Sequence, residues 1–148
     1  MRKQKKEIQK QTSALLPVNH KINGYLEIGS TGRYVKSLKK VFDFKGPVFL
    51  TNDFQPTYSA SDLMERGRIT KIGKFFDLDN YAPISQIVSD QSLDLVTCYI
   101  GLHHCPLDRL GPYLASIYRV LRQGVHFILL DHYATTAEMK TYFSMVHT

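Results

Sequence analysis

The sequence predicts one α/β domain on a doubly wound, mainly parallel sheet, and three observations carry that expectation. Short apolar runs alternate with amphipathic segments along the body of the chain, as strands alternate with crossover helices. The runs are rich in β-branched and aromatic residues and lack polar alternation, as strands buried on both faces do. Glycines and acids gather just after the runs, where open α/β sheets bind ligands.

At 148 residues, with 43% hydrophobic and 22% charged residues and a mean hydropathy of −0.22, the chain suits one packed domain and not a disordered polymer. Its longest apolar stretches, Leu93–Ile100 and Val125–Leu130, fall short of the roughly 20 residues a membrane helix needs. The first ten residues, MRKQKKEIQK, hold five bases and one acid, so four of the six net positive charges sit there. Residues 1–20 are therefore read as a basic segment preceding a domain at 21–148. The segment is expected to be a solvated, frayed helix start, because no aromatic interleaves its lysines as a nucleic-acid contact would require. Glu7, Gln9, Lys10 and Gln11 stand where a secretion signal would be apolar, so a cytoplasmic location is expected.

The strands are predicted at Tyr25–Ile28, Val48–Thr51, Gly73–Phe76, Leu93–Ile100 and Val125–Leu130. Tyr34, Val35, Leu38, Val41 and Phe42 have helical spacing after the first, and Tyr58–Arg66 is helical after the second. Tyr81–Asp90, holding Pro83, reads as a loop with a short helical turn. Behind Pro106 a helix presents Leu110, Leu114, Ile117, Tyr118 and Leu121, with Gly124 as its stop. A last helical pattern spans Ala134–His147.

After the first strand, Glu27-Ile28-Gly29-Ser30-Thr31-Gly32-Arg33 makes a turn into a helix, where glycines let backbone approach a ligand and the carboxylate can accept hydrogen bonds. Asn52-Asp53 follows the second strand, placed to accept from sugar hydroxyls. Asp77-Leu78-Asp79 follows the third, where a side chain and an N–H can read a base edge. Gly101-Leu102-His103-His104-Cys105 follows the fourth. Each feature alone is more often a tight turn or a helix cap.

Taken in order, however, YLEIGSTGRY at 25–34, TND, FFDLD, SLDLVTCYIGLHH at 92–104 and YRVLRQGVHFILLDH at 118–132 resemble the class I S-adenosylmethionine-dependent methyltransferases from Gly24 onward. The resemblance implies strand order 3-2-1-4-5 and S-adenosylmethionine as cofactor. It implies a cofactor site from Glu27, Gly29, Ser30 and Gly32, then Asp53, then Asp77 with Leu78, with Tyr99 lining it. The turn has two glycines where the family often has three, and Gln123-Gly124-Val125 replaces a Pro-Gly-Gly junction. The family's sixth and seventh strands have no counterpart, so the apolar fifth-strand edge is expected to associate with a second copy or a partner chain.

Methyl transfer is an in-line displacement that needs positioning, and a base where the acceptor carries a proton. His103, His104 and His132 are the candidate bases, and a small molecule is the expected acceptor. Asp131 could orient His132, but neighbours on a strand point to opposite faces. No metal is expected, since adjacent His103, His104 and Cys105 do not readily converge on one ion, and Cys98 and Cys105 read as reduced thiols. The competing readings are a non-catalytic adenosyl-binding or interaction subunit and an NAD-dependent oxidoreductase, whose Gly-x-Gly-x-x-Gly spacing Gly29-Ser30-Thr31-Gly32 lacks.

Overall fold

The computed structural model describes residues 2–17, 19–53, 57, 59–66, 72–99 and 101–131. Helix α1 (Arg2–Leu15) precedes β1 (Lys21–Ile28), α2 (Val35–Leu38), β2 (Asp43–Asn52), α3 (Ala60–Arg66), β3 (Lys74–Asp77), β4 (Leu93–Tyr99), α4 (Leu107–Val120) and β5 (Leu121–Leu130). The five strands form one sheet in the order β3-β2-β1-β4-β5, with every neighbouring pair parallel. The doubly wound fold and its strand order are those expected.

Two apolar layers sandwich the sheet. On one face Tyr25, Leu95, Tyr99 and Ile128 pack with Ile8 and Leu16 from the N-terminal segment and with Tyr34, Val35 and Leu38 around α2. On the other, Leu26, Ile28, Val96 and Cys98 pack with Tyr113, Ile117 and Val120 of α4 and with Tyr81 and Ile84. Burial of both faces explains why the strands show no polar alternation.

Four expectations are corrected. The basic segment is no frayed start: Ile8, Thr12 and Leu16, at helical spacing, are buried, while Lys3, Lys6 and Lys10 face outward. Three inward residues anchor the helix, so its lysines are its solvent side. Helix α2 spans only Val35–Leu38, with hydrogen-bonded turns carrying the chain on to Phe42.

Helix α4 stops at Val120, and Gly124 lies inside β5 at φ 74°. The ladder shifts there: Leu93 pairs with Leu121, and Leu95 with His126. The extra β5 residues bulge, and glycine supplies the left-handed backbone that a bulge favours. The buried face of α4 is Tyr113, Ser116, Ile117 and Val120, whereas Tyr118 is 80% exposed. At about 100° per residue, Tyr118 stands well away from the centre of that face. Strands β1 and β2 extend beyond the predicted runs, β3 begins one residue later, and Tyr81–Asp90 contains one single 3-10 turn, Ile84–Gln86, while another, Asp79–Tyr81, ends at its first residue. His132, the Ala134–His147 segment, Tyr58 and Ile100 lie outside the described residues.

Candidate cofactor crevice and active site

Strand order reverses between β1 and β4, so the crevice beyond their carboxyl ends is the ligand position of this architecture. The turn after β1 is braced from beneath. Glu27 pairs in register with Thr97 of β4 and is wholly buried. Thr97 donates to the Tyr25 hydroxyl at 2.6 Å, which donates to Glu27 Oε2 at 3.0 Å. The Tyr34 N–H donates to Glu27 Oε1 at 3.3 Å, where the chain turns into α2. Burial pushes the Glu27 carboxyl above its usual pKa, against the opposing pull of hydrogen bonds from Ser30, Tyr25 and Tyr34 and the charge of Arg33.

Ser30 also turns inward, and its Oγ accepts the N–H groups of Gly32 at 3.2 Å and Arg33 at 3.0 Å. Gly29 N–H donates to the Thr51 carbonyl at 2.8 Å, tying the turn to β2. Gly32 sits at φ 95°, and a Cβ there would come within 3.2 Å of Ile72 and 3.3 Å of Leu50. Glycine is therefore required by both backbone and space.

Above this brace lies a polar cleft of about 70 Å³ lined by Gly29, Thr31, Arg33, Tyr34, Asn52 and Tyr99 among others. Asp53 follows it on the surface. Leu78 is buried, and its N–H donates to the Asn52 carbonyl at 3.1 Å, which sets the ends of β2 and β3 side by side. Asp77, at the end of β3, is exposed. Beyond them Asp79, Asn80 and Tyr81 take positive φ values of 47°, 49° and 61°. Such backbone is costly for non-glycine residues, and here it turns Tyr81 inward to donate its hydroxyl to the Gly101 carbonyl at 2.6 Å.

Tyr99 links the cleft to α1. Its ring meets Tyr34 edge-on at 4.9 Å, and its hydroxyl shares a buried hydrogen bond of 2.9 Å with Thr12. A second cavity, about 190 Å³ and largely apolar, lies between α1 and β5 and is lined by Ile8, Thr12, Leu15, Tyr99, Ile128 and Leu130 among others. Tyr99 thus borders both spaces.

Across the crevice, Asp131 follows β5 directly and holds the loop after β4. Its Oδ2 accepts the His103 backbone N–H at 3.0 Å, and its Oδ1 lies 2.5 Å from His103 Nδ1. The His104 ring packs on that of His103 with centroids 4.0 Å apart. The Asp131–His103 pair escaped the residue-by-residue reading because 28 positions separate the partners. The signal that could have found it is the strand order: β4 beside β5, with Tyr99 opposite Leu130, brings the residue after β5 to the loop after β4. Cys98 and Cys105 are buried free thiols, and burial pushes Cys98 up to about 12.

A larger cavity, about 420 Å³, lies at the opposite end of the sheet, among Asp90, Arg119, Arg122 and Gly124. Its guanidinium groups are already engaged, Arg119 with Asp90 at 2.7 Å and Arg122 with Asp94 at 2.5 Å. It is a junction between the end of α4 and the start of β5, away from every strand carboxyl end.

This architecture and crevice define a Rossmann-like domain of the class I S-adenosylmethionine-dependent methyltransferase type. The chain belongs to the family described as "Methyltransferase domain", whose model matches residues 26–129. Among solved structures, the chain is similar to the YcgJ protein of Bacillus subtilis, at 19% identity and a TM-score of 0.62, over 99% of this chain and 58% of that one. It is also similar to a SAM-dependent methyltransferase of Aquifex aeolicus (16% identity, TM-score 0.57, 90% and 68%). A third likeness is to the 1,6-didemethyltoxoflavin-N1-methyltransferase of Burkholderia thailandensis, solved with 1,6-didemethyltoxoflavin and S-adenosylhomocysteine (20% identity, TM-score 0.55, 84% and 50%). The chain spans under two thirds of YcgJ and half of the Burkholderia enzyme. No curated protein sequence matches it significantly.

Proposed function

We propose that this chain binds S-adenosylmethionine in the crevice at the β1–β4 switch point and transfers its methyl group to a small-molecule acceptor. The observation that carries this reading is the braced glycine turn with its polar cleft, followed by Asn52-Asp53 and Asp77-Leu78 on adjoining strand ends, in a chain of the methyltransferase family. The cleft is far smaller than the roughly 300 Å³ or more of a typical ligand site. Its polar lining, Arg33 included, suits the charged amino-acid end of the cofactor, while the remainder would extend along the strand ends. There Asp53 accepts from ribose hydroxyls and Asp77 meets the adenine, while the Leu78 N–H, given to the Asn52 carbonyl, holds the two strand ends together.

When bound, the cofactor supplies an activated methyl group on a sulfonium. The chain's own contribution is positional: Gly29 and Gly32 admit close approach, Glu27 and Ser30 hold the turn, and Tyr99 separates the cofactor cleft from the apolar cavity beneath α1. That cavity suits an acceptor with an apolar body. The histidines 103, 104 and 132 remain the candidates for removing a proton from it.

Calorimetric titration of the whole chain with S-adenosylmethionine and, separately, NADH tests the reading. One-to-one binding of the former and none of the latter is expected. Binding of NADH alone, or of neither, would overturn it.

A further inference from the structure

Sites for proton transfer are built by fixing a titratable ring through its second nitrogen, and the crevice holds one such arrangement. Asp131 grips His103 twice, by the backbone N–H at 3.0 Å and by Nδ1 at 2.5 Å. A carboxylate only accepts, so Nδ1 carries the proton and the lone pair of the neutral ring is on Nε2. The loop is fixed on its other side as well, since Tyr81 donates to the Gly101 carbonyl two residues earlier. Gly101 has φ 136°, with nothing near its missing side chain, so backbone conformation alone calls for glycine there. The imidazole and the carboxylate are 30% and 16% exposed, which admits a ligand and still limits screening by water. Asp131 follows Leu130 of the cavity under α1, and its own side chain lies on the other face of the sheet, beside Cys98 and Tyr81.

We infer that His103 is the general base of this site, that Asp131 is its positioning residue, and that the methyl acceptor therefore presents an O–H or N–H group. This deepens the proposed function and rests on it. In the step, Nε2 of His103 takes the acceptor's proton as the acceptor's lone pair forms a bond to the methyl carbon. The carbon–sulfur bond breaks with its electron pair going to sulfur, so the sulfonium leaves as a neutral thioether. The imidazolium is held against the Asp131 carboxylate until it releases its proton to solvent. A thiol acceptor, intrinsically far more nucleophilic than a hydroxyl, needs such help least.

Among the described residues, the ionisable groups around the base are Asp131 from the end of β5, the His104 ring packed on that of His103, and the Tyr81 hydroxyl and Cys98 and Cys105 thiols, all pushed up by burial. These last three stay neutral through the physiological range.

The test uses the whole chain with tritium-labelled S-adenosylmethionine and three probe acceptors: phenol, benzylamine and 2-mercaptoethanol. Transfer to phenol or benzylamine is expected. His103→Ala should lower kcat for that probe by about 10²- to 10⁴-fold, the usual contribution of a positioned base. Asp131→Asn, which keeps size and removes the charge, should lower it at least about 10-fold. Asp131→Glu, which keeps the charge, should retain more activity than Asp131→Asn. S-adenosylmethionine affinity should be unchanged in all three variants. Full activity in His103→Ala, Asp131→Glu no more active than Asp131→Asn, or transfer by the cofactor-binding protein to 2-mercaptoethanol alone or to no probe would each overturn the inference. Failure of the wild-type chain to bind S-adenosylmethionine would instead remove the underlying reading.

Discussion

The two carboxylates that flank the crevice do opposite work. Glu27, beneath the turn after β1, is wholly buried and holds groups of the protein itself. Asp131, at the end of β5, is partly exposed and holds an imidazole. One carboxylate spends its hydrogen-bonding capacity on shape, and the other spends it on the state of a titratable ring. The carboxylate group and a place near a strand's end are shared, so burial and partner decide the role.

The comparison breaks most visibly at Glu27. Glu27→Ala leaves the Tyr25 hydroxyl and Tyr34 N–H without their acceptor, and should cost about 2–3 kcal/mol of stability, since each orphaned buried polar group costs about 1–3 kcal/mol. Urea unfolding monitored by circular dichroism measures this, and Asp131→Asn should stay within about 1 kcal/mol of wild type in the same assay. A larger loss at Asp131 than at Glu27 would reverse the assignment of roles.

Next comes cofactor affinity. Asp53→Ala should weaken S-adenosylmethionine by about 1.5–3 kcal/mol, or roughly 10- to 150-fold, as loss of a charge-assisted hydrogen bond does. Calorimetry that finds unchanged affinity would take Asp53 out of the site.

The pH dependence of stability separates the two carboxylates further. Burial raises the folded pKa of Glu27 above its unfolded value of 4.5. The protonated form is then the one the fold favours, so its stabilising contribution is full below pH 4.5 and is lost as pH rises through the folded pKa. Relative to Glu27→Gln, wild type should therefore lose stability as pH climbs from 4.5. A difference that stays flat or grows with pH would contradict the burial argument.

A smaller effect is expected where α1 meets the crevice. Thr12→Val keeps the shape and removes the hydrogen bond to Tyr99, for about 1 kcal/mol. Hydrogen exchange should then quicken across α1 and leave α4 unchanged.

Much of the fold was legible because it is written locally. Doubly buried strands appear as unbroken apolar runs, and parallel strands require crossovers between them, so element type and order could be read from Tyr25 to Leu130. Boundaries were less legible where tertiary contacts overrode pattern. Leu121 looks helical by spacing yet pairs with Leu93, and the lysine-rich start of the chain hides the inward stripe of Ile8, Thr12 and Leu16. The glycine turn was readable as a motif, but the inward roles of Glu27 and Ser30 depend on Tyr25, Thr97 and the Tyr34 N–H, whose approach only the folded register reveals. The His103–Asp131 pair lay further out of reach, because it depends on which strand end stands beside which.

The central claim is that the cofactor sits over the turn after β1 and that the larger groove at the other end of the sheet is structural. Nitrogen-15 NMR of the labelled chain, titrated with S-adenosylhomocysteine, tests this most directly. Backbone shifts are expected at Gly29–Gly32, Asn52, Asp53 and Leu78, with Asp90, Arg119, Arg122 and Gly124 unmoved. Shifts centred on that second group, with the glycine turn silent, would contradict the account.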